Sequence, residues 1–437
     1  MAARRSFSTC AVLTLAASCV APCAAEVHLT VSAPGAGGQF ATVQAAVDAV
    51  PAANAERHII DIYPGSYAAR VKIPSDKPFI TLRGLGQLAS DTVITFNETA
   101  QTPPNESTVH ASTVVQGHDF IAENLTFANS YGPGQQALAI YAKADRLVFN
   151  NVRFTGYQDT LRSESGRHYF YKTYAEGAVD FVYGKGTAYF EQSTLFAKAG
   201  GYVTAQAREG AAETNGYVFK DSTVTGSAAA GSVYLGRPWQ AYARVVFINS
   251  KLGPVVAPAG WATWSGTSNH LTAYFAEYQS QDLAGNPANV SQRVNWSHQL
   301  TTEEAAAFSK AAWLGGSDGW NPVIAERAGP GDFDGDGAIG ASDNRYWRMG
   351  FGAAAGAGAA LGDADGDADV DGGDFLAWQQ AYGAGSIATG AAVSVPEPVS
   401  GWTGLALSAL AARRFARGAG AWPSGNQIRS NAGSARP

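Results

Sequence analysis

Two aspartates stand inside otherwise apolar or aromatic runs. Asp159 lies in Gly156-Tyr157-Gln158-Asp159-Thr160-Leu161, and Asp180 lies in Val179-Asp180-Phe181-Val182-Tyr183-Gly184. A carboxylate among apolar neighbours is costly unless it is paired or has chemical work. The two are 21 residues apart. If that interval is one turn of a stacked structure, they sit on neighbouring strands roughly 5 Å apart. Two carboxylates that close cannot both ionise freely, so one pKa rises and the pair divides into an acid and a nucleophile or base. Leu235-Gly236-Arg237-Pro238-Trp239 adds a cation that can hold one aspartate ionised, beside an aromatic platform. Gln158 and, one turn earlier, Gln136 in Gln135-Gln136-Ala137-Leu138-Ala139 add amide donors. Taken singly, each of these also fits a plain Asn/Asp ladder that caps turns.

A second carboxylate pattern lies further on. Asp332, Asp334, Asp336 and Asp343 occupy positions 1, 3, 5 and 12 of a loop with Gly337 at position 6 and the Ala338 carbonyl at position 7. Asp363, Asp365, Asp367, Asp369 and Asp374 repeat it 31 residues later, with Ala368 at position 6. Such loops repel themselves unless a hard cation neutralises them, and Ca2+ takes six to eight oxygens. Ala368 is strained where glycine turns freely, so weaker binding is expected there. The duplicated loop-plus-helix resembles a type I dockerin module over residues 331–385. That resemblance implies structural Ca2+ and a cohesin-type protein partner, read through Ala341-Ser342 and Gly372-Gly373 at loop positions 10 and 11. A calcium-stiffened stalk without a partner fits the same residues.

Other chemistry is excluded by what is missing. The cysteines are Cys10, Cys19 and Cys23, so thiol nucleophiles, Cys-based metal centres and disulfides are absent after residue 25. No phosphate-binding loop is present, and the seven histidines do not cluster at zinc spacings. Residues 331–386 carry ten Asp and two Arg, a net of −8 against −6 for the whole chain. This is an acidic module on a nearly neutral body, not a nucleic-acid binder.

The elements that must position the aspartates are strands. Six segments repeat an aromatic-and-polar pattern: 121–125, 148–152, 169–173, 189–193, 218–222 and 246–250. Aligned on positions 122, 149, 170, 190, 219 and 247, they indicate a solenoid of stacked turns, best met by a parallel β-helix rather than a β-sandwich. An amphipathic helix over 42–50, stopped by Pro51, would cap the open end. Residues 301–314 read as a second helix, capped by Thr301 or Thr302 and packed on the solenoid's side. Residues 1–25, with Arg4 and Arg5 ahead of an apolar run, read as a signal peptide. At the other end, Val395-Pro396-Glu397-Pro398, an apolar stretch and Arg413-Arg414 resemble a PEP-CTERM sorting signal, although 23 residues follow Arg414. Together these ends imply a secreted or cell-surface protein, with domains at 1–25, 26–325, 326–386 and 387–437.

Taken in order, the motifs of the body resemble pectin methylesterases (pectinesterases). The similarity spans residues 38–322. It is carried by 40–51, Pro64-Gly65-Ser66-Tyr67, Gln136-Ala137-Leu138-Ala139, 156–161, 180–184, 235–239, Gly260-Trp261-Ala262-Thr263-Trp264 and Ala276-Glu277-Tyr278. Ala69 stands where the family has Glu, and Val182-Tyr183 replaces Ile-Phe. The resemblance implies an all-β, right-handed parallel β-helix, joined here to a small α-helical, paired EF-hand-like calcium module. It implies hydrolysis of methyl esters of homogalacturonan to de-esterified pectin and methanol, with no cofactor for catalysis. By position, Asp180 is the nucleophile, Asp159 the acid and then base, and Gln136 and Gln158 the oxyanion donors. Arg237 orients Asp180, and Trp239, Tyr157, Phe181 and Trp264 flank the sugars. Alternatives are an esterase for another polysaccharide acyl ester, a pectate lyase, or an inactive carbohydrate-binding scaffold.

Overall fold

The six repeating segments become strands in register. Ala122, Phe149, Phe170, Phe190, Phe219 and Phe247, one from each, are partners across successive parallel strands. A computed structural model describes residues 26–34, 37–101, 110–354 and 356–387. The signal-peptide reading of 1–25, its three cysteines, and the sorting motif beyond residue 387 lie outside the described residues.

Each turn contributes strands to three rows, and every strand-to-strand ladder between turns is parallel. The first row runs from Val27–Val31 through Leu147–Asn150, Arg167–Tyr171 and Thr187–Glu191 to His298–Gln299. The second row includes Thr126–Asn129, Arg153–Thr155 and Thr223–Gly226. The third includes Ala111–Val115, Leu138–Lys143, Leu161–Ser165 and Val233–Pro238. Two long bent strands, Tyr174–Gly184 and Thr194–Gln206, serve the second row with their first halves and the third row with their second halves. The result is a parallel β-helix.

Local chemistry sets the corner after the first row. Asn124, Asn151, Lys172, Gln192, Asp221, Asn249 and Gln279 all adopt left-handed backbone, with φ between 49° and 53°. Asn and Asp tolerate this conformation best. The N–H of each of the first six bonds the carbonyl of the next turn, as in Asn151 to Tyr171 at 3.0 Å and Asn249 to Tyr278 at 2.8 Å. Inside, the phenyl rings of Phe149, Phe170, Phe190, Phe219 and Phe247 stack at successive centroid distances of 4.8, 4.1, 4.5 and 4.5 Å. Each offset stack contributes about 0.5–1.5 kcal/mol beyond simple burial.

The helix Val43–Ala49 is N-capped by Thr42, whose side chain accepts from the Ala45 N–H, and buries Val43, Ala46 and Val47 in the solenoid core. It covers the end that a bare sheet edge would expose. The helix expected over 301–314 is two: Thr302–Ala306, closed by a Thr301/Glu304 capping box, and Lys310–Leu314. The chain breaks because Phe308 turns into an apolar cluster on the outer face of the first row and Ser309 is extended, with ψ 152°. Trp313 then donates from Nε1 to the Ala188 carbonyl at 3.1 Å, fixing the second piece to the solenoid's side.

The acidic loops are followed by helices Asp343–Gly350 and Gly372–Ile387. They do not stand free of the solenoid. Leu85 of the body shares a buried cluster with Phe333, Tyr346, Leu361 and Val370, and Arg83 donates from Nη1 to the Tyr346 hydroxyl at 2.7 Å.

Candidate active site

The Asp159–Asp180 interval is one turn of the solenoid. Gln158 pairs with Val179, and the Asp159 N–H donates to the Val179 carbonyl at 3.1 Å. Both aspartates adopt left-handed backbone, with φ 61° and 49°, at the bend from the second row into the third. The register of Tyr174–Gly184 shifts between Gly177 and Val182, which lifts Asp180 out of the regular alternation. Gly177 permits this bend, since a Cβ there would lie 2.3 Å from Phe181 Cβ and 2.8 Å from the Tyr157 carbonyl oxygen.

Beyond the bend, the third row presents a ladder of partners: Tyr141, Arg162, Tyr183, Ala205 and Arg237. Large residues flank the small Ala205, and a cleft of about 340 Å³ opens there. Its walls include Gln136, Asp159, Asp180, Trp239 and Trp264, together with His110 and Arg162. Arg237 grips Asp180 with two parallel bonds, Nε to Oδ1 at 3.0 Å and Nη2 to Oδ2 at 2.6 Å. The guanidinium is itself held between the rings of Tyr202 and Trp264, at 4.0 and 4.1 Å from their centroids. Such a planar fork fixes a carboxylate's orientation as well as its charge.

The two carboxyls are electrostatically unequal. Both are buried, at 5% and 6% exposure. Burial, and next the negative charge of Asp180, push Asp159 up to about 7, while Arg162 and Arg237 pull it down. Burial also raises Asp180, but Arg237 opposes this through its hydrogen bonds and charge. Asp159 is therefore the partner that keeps its proton to higher pH, and Asp180 the one that Arg237 favours as an oriented carboxylate. That arrangement can attack a carbonyl from one oxygen and supply a proton from the other side of the pair.

The cleft brings together Asp159, Asp180, Gln136, Trp239 and Trp264, with Arg237 reaching it through Asp180. Gln158 is half-buried beside it but does not line it. The expected sugar contact of Phe181 is corrected: Phe181 is fully buried in the solenoid core. Once the left-handed bend turns Asp180 outward, its neighbour must point in. Tyr157 likewise does not line the cleft; its carbonyl accepts from the Ala178 N–H at 2.6 Å and serves the bend instead. The sequence reading missed Arg162, Tyr183, Ala205 and His110 as cleft residues. Arg162 and Tyr183 carry the same 21-residue interval as the aspartates, a signal that could have found them. His110, whose Nδ1 lies 3.3 Å from Glu98 Oε1, has no such signal.

In the acidic loops, carboxylates converge in three groups: Asp332, Asp334 and Asp343; Asp363, Asp365 and Asp374; and Asp369, Asp371 and Asp374. The two loops repeat one another bond for bond. Gly335 and Gly337 donate to Asp332, and Gly366 and Ala368 donate to Asp363. Asp336 and Asp367 stand outside these groups, exposed and accepting from the Ala338 and Asp369 N–H groups. Asp371 joins a group although the sequence reading did not assign it. Ala368 takes the left-handed conformation expected at its position, with φ 70° against 86° for Gly337.

Comparison with known proteins adds the following. The pectinesterase family model matches residues 28–317. Among curated relatives, Pectinesterase 31 of Arabidopsis thaliana is 39% identical over 281 residues, covering 62% of this chain and 87% of its own length. Among solved structures, the pectin methylesterase from carrot superposes with a TM-score of 0.61 at 29% identity, covering 66% of this chain and 93% of the carrot chain. The pectin methylesterase from Aspergillus niger gives 0.59 at 28% identity, covering 66% and 94%.

Proposed function

The chain belongs to the pectinesterase family, and from that premise we infer that it is a carboxylic ester hydrolase converting methyl-esterified homogalacturonan to de-esterified pectin and methanol. The observation that carries the chemistry is the unequal pair: Asp180 clamped by Arg237, and Asp159 pushed up to about 7 one turn away. The Asp180 carboxylate attacks the ester carbonyl carbon, and its C–O bond forms as the carbonyl electrons move to oxygen. The Gln136 amide in the cleft wall donates to that oxyanion, and Gln158, beside the cleft, joins it if its side chain turns in. As it collapses, the bond to the methoxyl oxygen breaks, Asp159 gives its proton to that oxygen, and methanol leaves. Asp159, now a carboxylate, takes a proton from water, whose oxygen attacks the same carbon. The galacturonate carboxyl is released and Asp180 is regenerated. Trp239 and Trp264 offer faces on which sugar rings stack. Asp180→Asn removes the nucleophile and should abolish methanol release; Asp159→Asn should nearly do so.

In the same reading, the acidic loops hold structural Ca2+. Their donors are all hard oxygens, and the buried Oδ1 of Asp369 has no hydrogen-bond partner. Asp332, Asp334 and Asp343 would hold one ion, with Asp336 and the Ala338 carbonyl reaching it only if the loop tightens. Asp363, Asp365, Asp369 and Asp374 would hold the other, with Asp371 added and Asp367 reaching it on the same condition. A dockerin-like module of this kind would join a cohesin-type partner, and the two chain ends would direct the enzyme to secretion or the cell surface. Calcium titration of the full chain by calorimetry tests the first of these proposals, with binding at two unequal sites expected.

A further inference from the structure

The reaction above leaves one guanidinium of the cleft unused. Arg162 lines the cleft on the Asp159 turn with its side chain 24% exposed. Its guanidinium lies 5.1 Å from the Tyr141 ring centre and 5.4 Å from that of Tyr183. Its Nε donates to Glu164 Oε2 at 2.7 Å. Two rings and an ion pair hold this cation in the wall of the cleft instead of letting it swing into solvent. Along the outward ladder, Tyr183 and Ala205 separate it from Arg237. That is three strand spacings, roughly 14 Å. Arg237 commits two N–H groups to Asp180, whereas the Glu164 bond occupies one edge of Arg162.

For the general acid, Arg162 is a hindrance. Its charge favours the ionised form of Asp159, the form that cannot donate a proton. A cation kept beside an acid at that cost needs another occupation, and the substrate supplies one. Every ester cleaved leaves a carboxylate on the polymer, next to esters still to be cleaved. A fixed guanidinium at one end of the cleft is complementary to such a carboxylate.

We propose that Arg162 is a specificity-determining residue: it binds the free carboxylate of a de-esterified galacturonate unit neighbouring the ester under attack, so that partly de-esterified chains are preferred to fully methylated ones. This rests on the pectin reading above. The test compares kcat/KM on partly de-esterified and fully methylated pectin, and competitive inhibition by polygalacturonate, for the wild type, Arg162→Gln and Arg162→Lys. The wild type should prefer the partly de-esterified substrate. Arg162→Gln should bring the ratio of the two kcat/KM values close to one and weaken inhibition roughly ten-fold. Arg162→Lys, which keeps the charge but not the fork, should fall between. Equal losses on both substrates with unchanged inhibition would overturn the proposal, because they would assign Arg162 to tuning Asp159 alone. Should Arg162→Gln fail to fold, Glu164→Gln frees the guanidinium and should tighten inhibition; unchanged inhibition in that variant overturns the proposal equally. Methanol release by a wild type without substrate preference defeats this proposal alone, whereas no methanol from any pectin defeats the pectin reading with it.

Discussion

In the proposed mechanism Asp159 starts as a neutral carboxylic acid, and the burial that raises its titration gives that role two measurable consequences. The first is kinetic. The acid must start protonated, so kcat/KM should fall as pH rises through about 7, where burial and the Asp180 charge have moved its titration. A profile flat from pH 6 to 8.5 would contradict this. The second is thermodynamic. The folded pKa lies above the ordinary 3.8 of the unfolded chain. The folded state therefore loses stability as pH rises from about 4, and the full loss is present above about 7. Asp159→Asn cannot ionise, so it should match the wild type below pH 4 and exceed it at pH 8, by at most about 4 kcal/mol. Scanning calorimetry at both pH values checks the sign. At Arg237, substitution by Lys keeps the charge and loses the two parallel bonds to Asp180. Turnover should drop roughly 10–100-fold, with KM changing less.

At the scale of elements, the solenoid turn is the unit that makes the site. The stacked turns that carry the ladder of phenyl rings were legible in the sequence because one turn leaves one aromatic-and-polar segment at intervals that can be aligned. The Asp159–Asp180 interval was legible for the same reason. What was not legible depends on bends and docking. The left-handed bend at Asp180 reverses the side on which Phe181 falls, and alternation alone does not announce it. The break at Phe308 and Ser309 follows from where Phe308 packs, which the helical pattern of 301–314 does not record. Two substitutions test these elements. Phe190→Ala opens the stack between Phe170 and Phe219 and should cost about 3–5 kcal/mol in thermal or denaturant unfolding. Gly177→Ala forces a Cβ against Phe181 and the Tyr157 carbonyl, so the Asp180 bend must move. Methanol release should fall far more than a surface Gly→Ala change would cause.

At the scale of the whole molecule, the acidic module is packed on the first row through Leu85 and through the Arg83–Tyr346 bond, so the ion binding proposed for its loops would also stabilise the solenoid. Chelation should lower the melting temperature of the chain while methanol release at moderate temperature persists. Ala368→Gly relieves a left-handed alanine and should tighten calcium binding at the second of the two proposed sites. A calcium isotherm with that variant checks it, and unchanged affinity would remove strain as the cause of the inequality. Among the described residues, however, the module supplies none to the cleft, whose charged groups come from successive turns of the β-helix. The claim on which all else depends is that Asp180 performs the attack. It is tested most directly by methanol release from methylated pectin by the purified, folded Asp180→Asn protein beside the wild type. Release by the wild type and none by the variant is the expected result; wild-type rates from Asp180→Asn would contradict it.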